Sequence, residues 1–211
     1  MSWYNKIDRI VCLNLAKRED RLLQFVEQAE KYNLPFERIE AVHDQQQGAR
    51  GLRDTMVLLF MDAIEKGTSE VLVFEDDALF VQEPHIFADT MEKVVEQLPE
   101  GYHLCFLGCQ LSHRISHFHS PNLFPVTMAF STHAVLWSLE GMKQCVERME
   151  YPIDNWMVKE IEPLGKCYCV YPLLASQVPG HSDIGHAFID WNPFISTRYD
   201  QKMTEYRLGM R

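Results

Sequence analysis

Val71-Leu72-Val73-Phe74-Glu75-Asp76-Asp77-Ala78-Leu79-Phe80 is the stretch on which the fold turns, because four apolar residues run directly into three acidic ones. Four apolar residues in a row, two of them β-branched, predict a strand buried on both faces, as in the interior of a parallel sheet. Such a strand delivers Glu75, Asp76 and Asp77 to its C-terminal end, where open α/β sheets form their ligand crevice and carboxylates stay hydrated. Strand residues separated by one position point the same way, so Glu75 and Asp77 are expected to face the crevice together and Asp76 to face elsewhere. Hard carboxylate oxygens suit Mn²⁺ or Mg²⁺, and these cations in turn take phosphate oxygens. Asp77 is the expected metal ligand, with Glu75 at the ribose or the metal shell.

Upstream, Ile7 to Leu15 reads as a second buried strand, followed by the charged run Lys17-Arg18-Glu19-Asp20-Arg21. A helix with Leu22, Leu23, Val26 and Ala29 on its inner side stops at Asn33-Leu34-Pro35. Phe36 to Val42 predicts a short strand, and His43 to Gly51 a polar loop. Met56, Leu59, Phe60, Ala63 and Ile64 have helical spacing, with Gly67 as the stop. Phe87, Met91, Val94, Val95 and Leu98 mark another helix before a strand at His103 to Leu107. This alternation predicts an α/β fold, a single domain with a mainly parallel sheet and helices on both faces. Gln110 to Pro125 reads as a long loop carrying His113, His117 and His119. Two short strands, a helix from Leu139 to Met149, a short helix with Asp154 as N-cap and a last strand, Cys167 to Tyr171, complete the pattern. Residues 187–211 are expected to form a mobile C-terminal tail or lid, locally basic through Arg198, Lys202, Arg207 and Arg211.

A chain of 211 residues suits one domain, 1–211, that buries most of its unfolded surface. A net charge of -10 argues against nucleic acid as a partner, since phosphate backbones demand clustered Lys and Arg. No apolar run approaches the roughly 20 residues needed to cross a bilayer, and the N-terminus has no apolar signal region. A cytoplasmic location is therefore expected, with peripheral membrane association left open. The six cysteines sit in apolar surroundings, so disulfides are not expected. Cys105, Cys109, His113 and His117 recur every fourth residue and would align as zinc ligands on a helix, but Gly108 and the strand-like His103 to Leu107 argue against a helix there.

Several blocks carry a family resemblance. Ile10-Val11-Cys12-Leu13-Asn14-Leu15 with Arg18 and Asp20-Arg21, Phe36 to Val42, Val71 to Phe80 and Leu107-Gly108 resemble successive blocks of glycosyltransferase family 25, the bacterial lipopolysaccharide-type and collagen-type galactosyltransferases. Pro152-Ile153-Asp154, and Tyr171-Pro172-Leu173 with Gln177 and Ser182-Asp183-Ile184, are similar to its later blocks. The resemblance implies a GT-A (Rossmann-like) fold, a UDP-sugar donor carrying galactose or glucose, a glycan or other hydroxyl acceptor, a divalent metal at the acid-x-Asp motif and inversion at the anomeric carbon. Arg18 and Arg21 are then expected at the uridine or phosphates, and Asn14, Glu75, Asp76, Ser182 and Asp183 at the donor. His186 is expected to complete the metal shell with Asp77 and Glu75, Asp154 to act as catalytic base, and His113, His117 and His119 to lie on the acceptor side. Gly51-Leu52-Arg53-Asp54-Thr55-Met56 departs from the family, which places a histidine in that segment.

Two other readings stay open on these residues. A nucleotidyltransferase would use the same sheet and metal, although Asn14 to Arg21 contains no glycine for a phosphate loop. A non-catalytic relative that binds a nucleotide or glycan would need only the crevice.

Overall fold

A computed structural model describes residues 2–209; Met1, Met210 and Arg211, the last basic residue of the expected tail, lie outside the described residues. The first half alternates β1 (Arg9–Asn14), α1 (Glu19–Lys31), β2 (Glu37–Glu40), α2 (Gly48–Glu65), β3 (Glu70–Glu75), β4 (Ala78–Phe80), α3 (Pro84–Gln97) and β5 (Leu104–Phe106). The second half contains β6 (Gln110–Leu111), β7 (Leu123–Pro125), β8 (Ala129–Phe130), β9 (Ala134–Ser138), α4 (Leu139–Arg148), α5 (Ile153–Trp156) and β10 (Cys167–Val170). It ends with β11 (Ala175–Gln177), β12 (Gly180–His181), β13 (Phe188–Ile189) and α6 (Arg198–Arg207).

Seven strands form the central sheet in the order β2-β1-β3-β9-β5-β10-β7. β2, β1, β3, β5 and β10 run parallel, while β9 and β7 run antiparallel to their neighbours. This is the α/β class with a mainly parallel sheet and helices on both faces that the alternation predicts. Side chains alternate between the two faces of each strand. Val71 and Val73 therefore join Met56, Leu59, Phe60 and Ala63 of α2 on one face, and Leu72 and Phe74 join Phe25 of α1 and Phe87 and Met91 of α3 on the other. Burying Phe74 among the rings of Phe25 and Phe80 contributes about 1.5–3 kcal/mol. β3 is thus anchored on both faces, and its polar end is the part left free.

Helix ends follow the expected chemistry in places. Asn33 takes a φ of 48° just after α1, and Gly67 takes 75° after α2, where the left-handed cap is cheapest without a Cβ. The inner side of α1 differs from the sequence expectation: Leu23 is 65% exposed, and Phe25 and Ala29 supply the burial. α2 starts at Gly48, inside the expected loop. β7 also lies within a segment expected to be loop, because Leu123 to Pro125 find an edge on β10.

Asp154 is not the N-cap of α5; Pro152 holds that position, and Asp154 sits in the first turn with its carboxylate turned to another segment. The four-residue Cys/His spacing lies on a strand and its exit, as the strand-like His103 to Leu107 indicates. Cys105 faces one core and Cys109 the other, where its sulfur lies 3.6 Å from that of Cys169, and all six cysteines are free and buried. In the C-terminal segment, Ile195, Tyr199 and Met203 pack into the core, and Tyr199 Oη donates to Val170 O at 2.7 Å. These three residues anchor α6 to the body, while Phe194, Tyr206 and Leu208 are exposed, and Ile189 and Trp191 of the expected tail border the crevice. Among the described residues no helix is long and apolar enough to cross a membrane.

Candidate functional site

The C-terminal ends of β1 and β3 open into a cleft of about 760 Å³. One wall is the acidic tip, Glu75, Asp76 and Asp77; Lys17 and Arg21 supply positive charge; Thr132 and Asp154 stand on another wall; and Ser182, Asp183 and His186 come from the β12–β13 hairpin. Among the predicted site residues, Arg21, Glu75, Asp76, Asp77, Asp154, Ser182, Asp183 and His186 meet at this cleft. Asn14 and Arg18 stand behind its lining, and His113, His117 and His119 are not part of it.

The β1–β3 register pairs Leu13 with Glu75, which sets Asn14 beside Asp76. Asn14, 1% exposed, donates through Nδ2 to Asp76 Oδ2 at 2.8 Å and to Arg18 O at 2.9 Å, and accepts from Arg38 Nε at 3.0 Å. Both of its amide hydrogens are used, so Asn14 positions Asp76 and has no donor hydrogen left for a ligand. Arg21 Nη1 lies 3.1 Å from Asp76 Oδ1 and 3.0 Å from Asp77 Oδ2. One guanidinium thus bridges both aspartates.

The expected alternation holds only in part. Asp76 is nearly buried but still borders the cleft, and burial raises its carboxyl even against the hydrogen bonds from Asn14 and Arg21. Glu75 accepts from Thr132 Oγ1 at 2.6 Å, and burial, followed by the charge on Asp77, pushes it up to about 8. Burial also raises Asp154, which accepts from Ser131 N at 3.0 Å.

A short strap between β8 and β9 ties these acids together. Ala129 N donates to Glu162 Oε2 at 3.0 Å, Ser131 N to Asp154 and Thr132 Oγ1 to Glu75, so three carboxyl groups hold three residues of the stretch 129–132. Ser131 has a φ of 82°, a conformation that costs a non-glycine residue about 1–3 kcal/mol and persists only when its surroundings impose it. Glu162 is fully buried, and burial raises its carboxyl to about 7. No sequence pattern marked Ser131, Thr132 or Glu162, since their partners are distant in the chain.

No family model matches the chain, and no curated protein matches it. Solved structures do resemble it. The protein A197 from STIV has a TM-score of 0.49 at 11% identity, covering 81% of this chain and 85% of that one. A glycosyltransferase involved in the glycosylation of the major capsid of PBCV-1 has a TM-score of 0.45 at 10% identity, covering 76% and 80%. A mannose-1-phosphate geranyltransferase from Thermus thermophilus has a TM-score of 0.41 at 9% identity, covering 76% and 58%. Similarity at this level carries no statement about this chain's activity.

The hairpin closes the cleft from the remaining side. Ser182 Oγ accepts from Ile184 N at 3.2 Å and Gly185 N at 2.9 Å, so this residue shapes the turn of the hairpin. Asp183 pairs with Lys17 Nζ at 2.7 Å and Arg18 Nη1 at 2.6 Å. His181 O accepts from Arg18 Nη1 at 3.2 Å and Arg21 Nη2 at 2.8 Å. Gly48, the first residue of α2, permits the hairpin's approach: a Cβ there would lie 2.6 Å from Asp183 O.

A divalent cation at the tip would find oxygen donors only, and their chemistry fits Mg²⁺ or Mn²⁺, which need one or two carboxylates when a diphosphate and water complete the shell. Among the described residues, no three His, Cys, Asp or Glu side chains come together as a ligand group. Glu75, Asp77 and His186 are therefore not assembled into the predicted protein triad.

Proposed function

We propose that the protein transfers a hexose, galactose or glucose, from a UDP-sugar to a hydroxyl of a glycan or similar acceptor, with inversion and with the help of a divalent cation. The observation that supports this most is the cleft itself, in which the β3 carboxylates face Lys17 and Arg21 at the C-terminal ends of parallel strands. A protein of charge -10 that binds a diphosphate needs cations beside it; Lys17 and Arg21 stand among the acidic residues of the lining, and a divalent cation would supply the remaining positive charge.

In this reading Asp77 and Glu75 would hold the cation, which when bound would supply Lewis-acid stabilisation to the leaving diphosphate. Arg21, freed from the aspartates, adds a hydrogen-bonded positive charge to the same phosphates. Asp154 takes the proton from the acceptor hydroxyl as that oxygen bonds to the anomeric carbon, and the bond from that carbon to the diphosphate breaks with its electron pair leaving on UDP. A raised carboxyl suits this role, because a base poised nearer neutrality accepts a proton more readily. The strap at Ser131 fixes the carboxylate by one hydrogen bond.

The test is incubation with Mn²⁺ and a panel of nucleotide sugars, with UDP release measured with and without acceptors. UDP and Mn²⁺ together should raise Tm by more than the sum of their separate effects, because ligands sharing one coordination shell strengthen each other's binding. Absence of both donor turnover and this synergy would overturn the reading.

A further inference from the structure

We propose that Lys17 and Arg18 form a phosphate-binding subsite of the cleft, and that the Asp183 carboxylate fills it as an internal stand-in until a nucleoside diphosphate takes its place. This rests on the reading of the cleft as a nucleotide-sugar site and assigns the residues that receive the phosphates.

The convergence of two cations on one carboxylate carries the inference. Lys17 and Arg18 approach Asp183 at 2.7 and 2.6 Å, one on each of its oxygens. Arg18 is already oriented before it meets Asp183, since Nε and Nη2 make paired 3.0 Å bonds to Asp20 and leave Nη1 aimed at the hairpin. A guanidinium and an ammonium that share a carboxylate present the same donors to phosphate oxygens. Burial works to raise the Asp183 carboxyl, and the bonds from Lys17 and Arg18 outweigh it and hold it low, so the stand-in is an anion.

The carrier of that anion is suited to exchange. β12 and β13 are two residues each, paired only with one another, and Phe188 on β13 is 66% exposed. The Asp183 pairs and the bonds from Arg18 and Arg21 to His181 O tie this hairpin to the segment after β1. Lys17 and Asp183 both border the cleft, so an anion inside it competes directly for Lys17 and reaches Arg18, which stands behind Asp183, only by taking the place of that carboxylate. When the diphosphate takes these cations, Asp183 loses its partners and the hairpin is released from this side. In the resting form Lys17 and Arg18 are thus held together on one carboxylate.

The experiment titrates inorganic pyrophosphate into the full chain by calorimetry in EDTA. Asp183→Asn should bind it about tenfold more tightly than the parent, because the internal competitor is gone. Lys17→Gln and Arg18→Gln should bind it about tenfold more weakly, and Lys17→Gln combined with Asp183→Asn should lose most of the gain. Pyrophosphate should also speed proteolytic cleavage of the parent within 182–187. Unchanged or weaker pyrophosphate binding by Asp183→Asn overturns the proposal, as does cleavage that saturating pyrophosphate leaves unaltered. If Asp183→Asn fails to fold, Gly48→Ala replaces it, since its Cβ would press on Asp183 O and lift the hairpin; it should give the same gain. Donor turnover is scored separately: pyrophosphate exchange without turnover of any nucleotide sugar leaves the subsite standing and sinks the transferase reading, and turnover without exchange does the reverse.

Discussion

The strand tip and the hairpin face each other across one cleft and are held by different forces. Val71, Leu72, Val73 and Phe74 bury the stem of the tip in both core faces, whereas Gly180–Ile189 reaches the β1 side through ion pairs and hydrogen bonds to Lys17, Arg18 and Arg21. Apolar burial is insensitive to what enters the cleft, but a polar clasp competes with any charged ligand. One wall is thus built to keep carboxylates in place and the other to respond to the ligand.

The sharpest way to test that division is Asp77→Asn. It removes charge from the tip without disturbing the buried stem, so transfer should fall by about a hundredfold or more while the circular dichroism spectrum is retained. Near-normal transfer by this variant would remove Asp77 from the site. The next contrast is thermodynamic. Phe74→Ala should cost about 3–5 kcal/mol in urea unfolding, and Phe188→Ala on the hairpin less than about 0.5 kcal/mol. Equal losses would mean that the hairpin belongs to the core after all.

Asp76→Asn probes the join between the two walls. Its new amide would point a donor at Asn14 Nδ2 or Arg21 Nη1, so stability should drop by about 1–3 kcal/mol, measured by the same unfolding curves. An unchanged midpoint would show that the Asn14 contact does not hold the tip.

A further contrast is a pH slope, read separately from the substitution costs because it accumulates over several pH units. The folded-state carboxyl of Glu75 lies near 8 and its unfolded value near 4.5, so the folded state binds the extra proton between them. That contribution to stability is fully present below about pH 4.5 and is lost as pH rises through about 8 in metal-free buffer. Glu75→Gln should flatten this part of the profile, and an identical slope in parent and variant would assign the titration to another group.

Much of the framework was legible because its causes are local. The run Val71 to Phe74 and the acids after it sit next to one another in the chain, so burial followed by charge can be read directly as a buried strand with a polar tip. Helical spacing at Met56 to Ile64 and the caps at Asn33 and Gly67 are local in the same sense. Leu23 misled because helical spacing identifies an apolar stripe without saying how far it wraps into the core. At Cys105 and Cys109 the local signals Gly108 and His103 to Leu107 pointed to a strand and its exit, and there the four-residue repeat places the two thiols in opposite cores.

What the sequence by itself determined is the alternating α/β order, the acidic strand end and the segments that supply Arg21, Asp154 and Asp183 to one site. Tertiary structure alone decided the work each side chain does. Asn14 meets Asp76 across 62 residues, Thr132 meets Glu75 across 57, and Arg18 meets Asp183 across 165. A hydrogen bond depends on a separation of about 3 Å and on its direction, and neither is written in residue type or spacing once the partners lie on different elements.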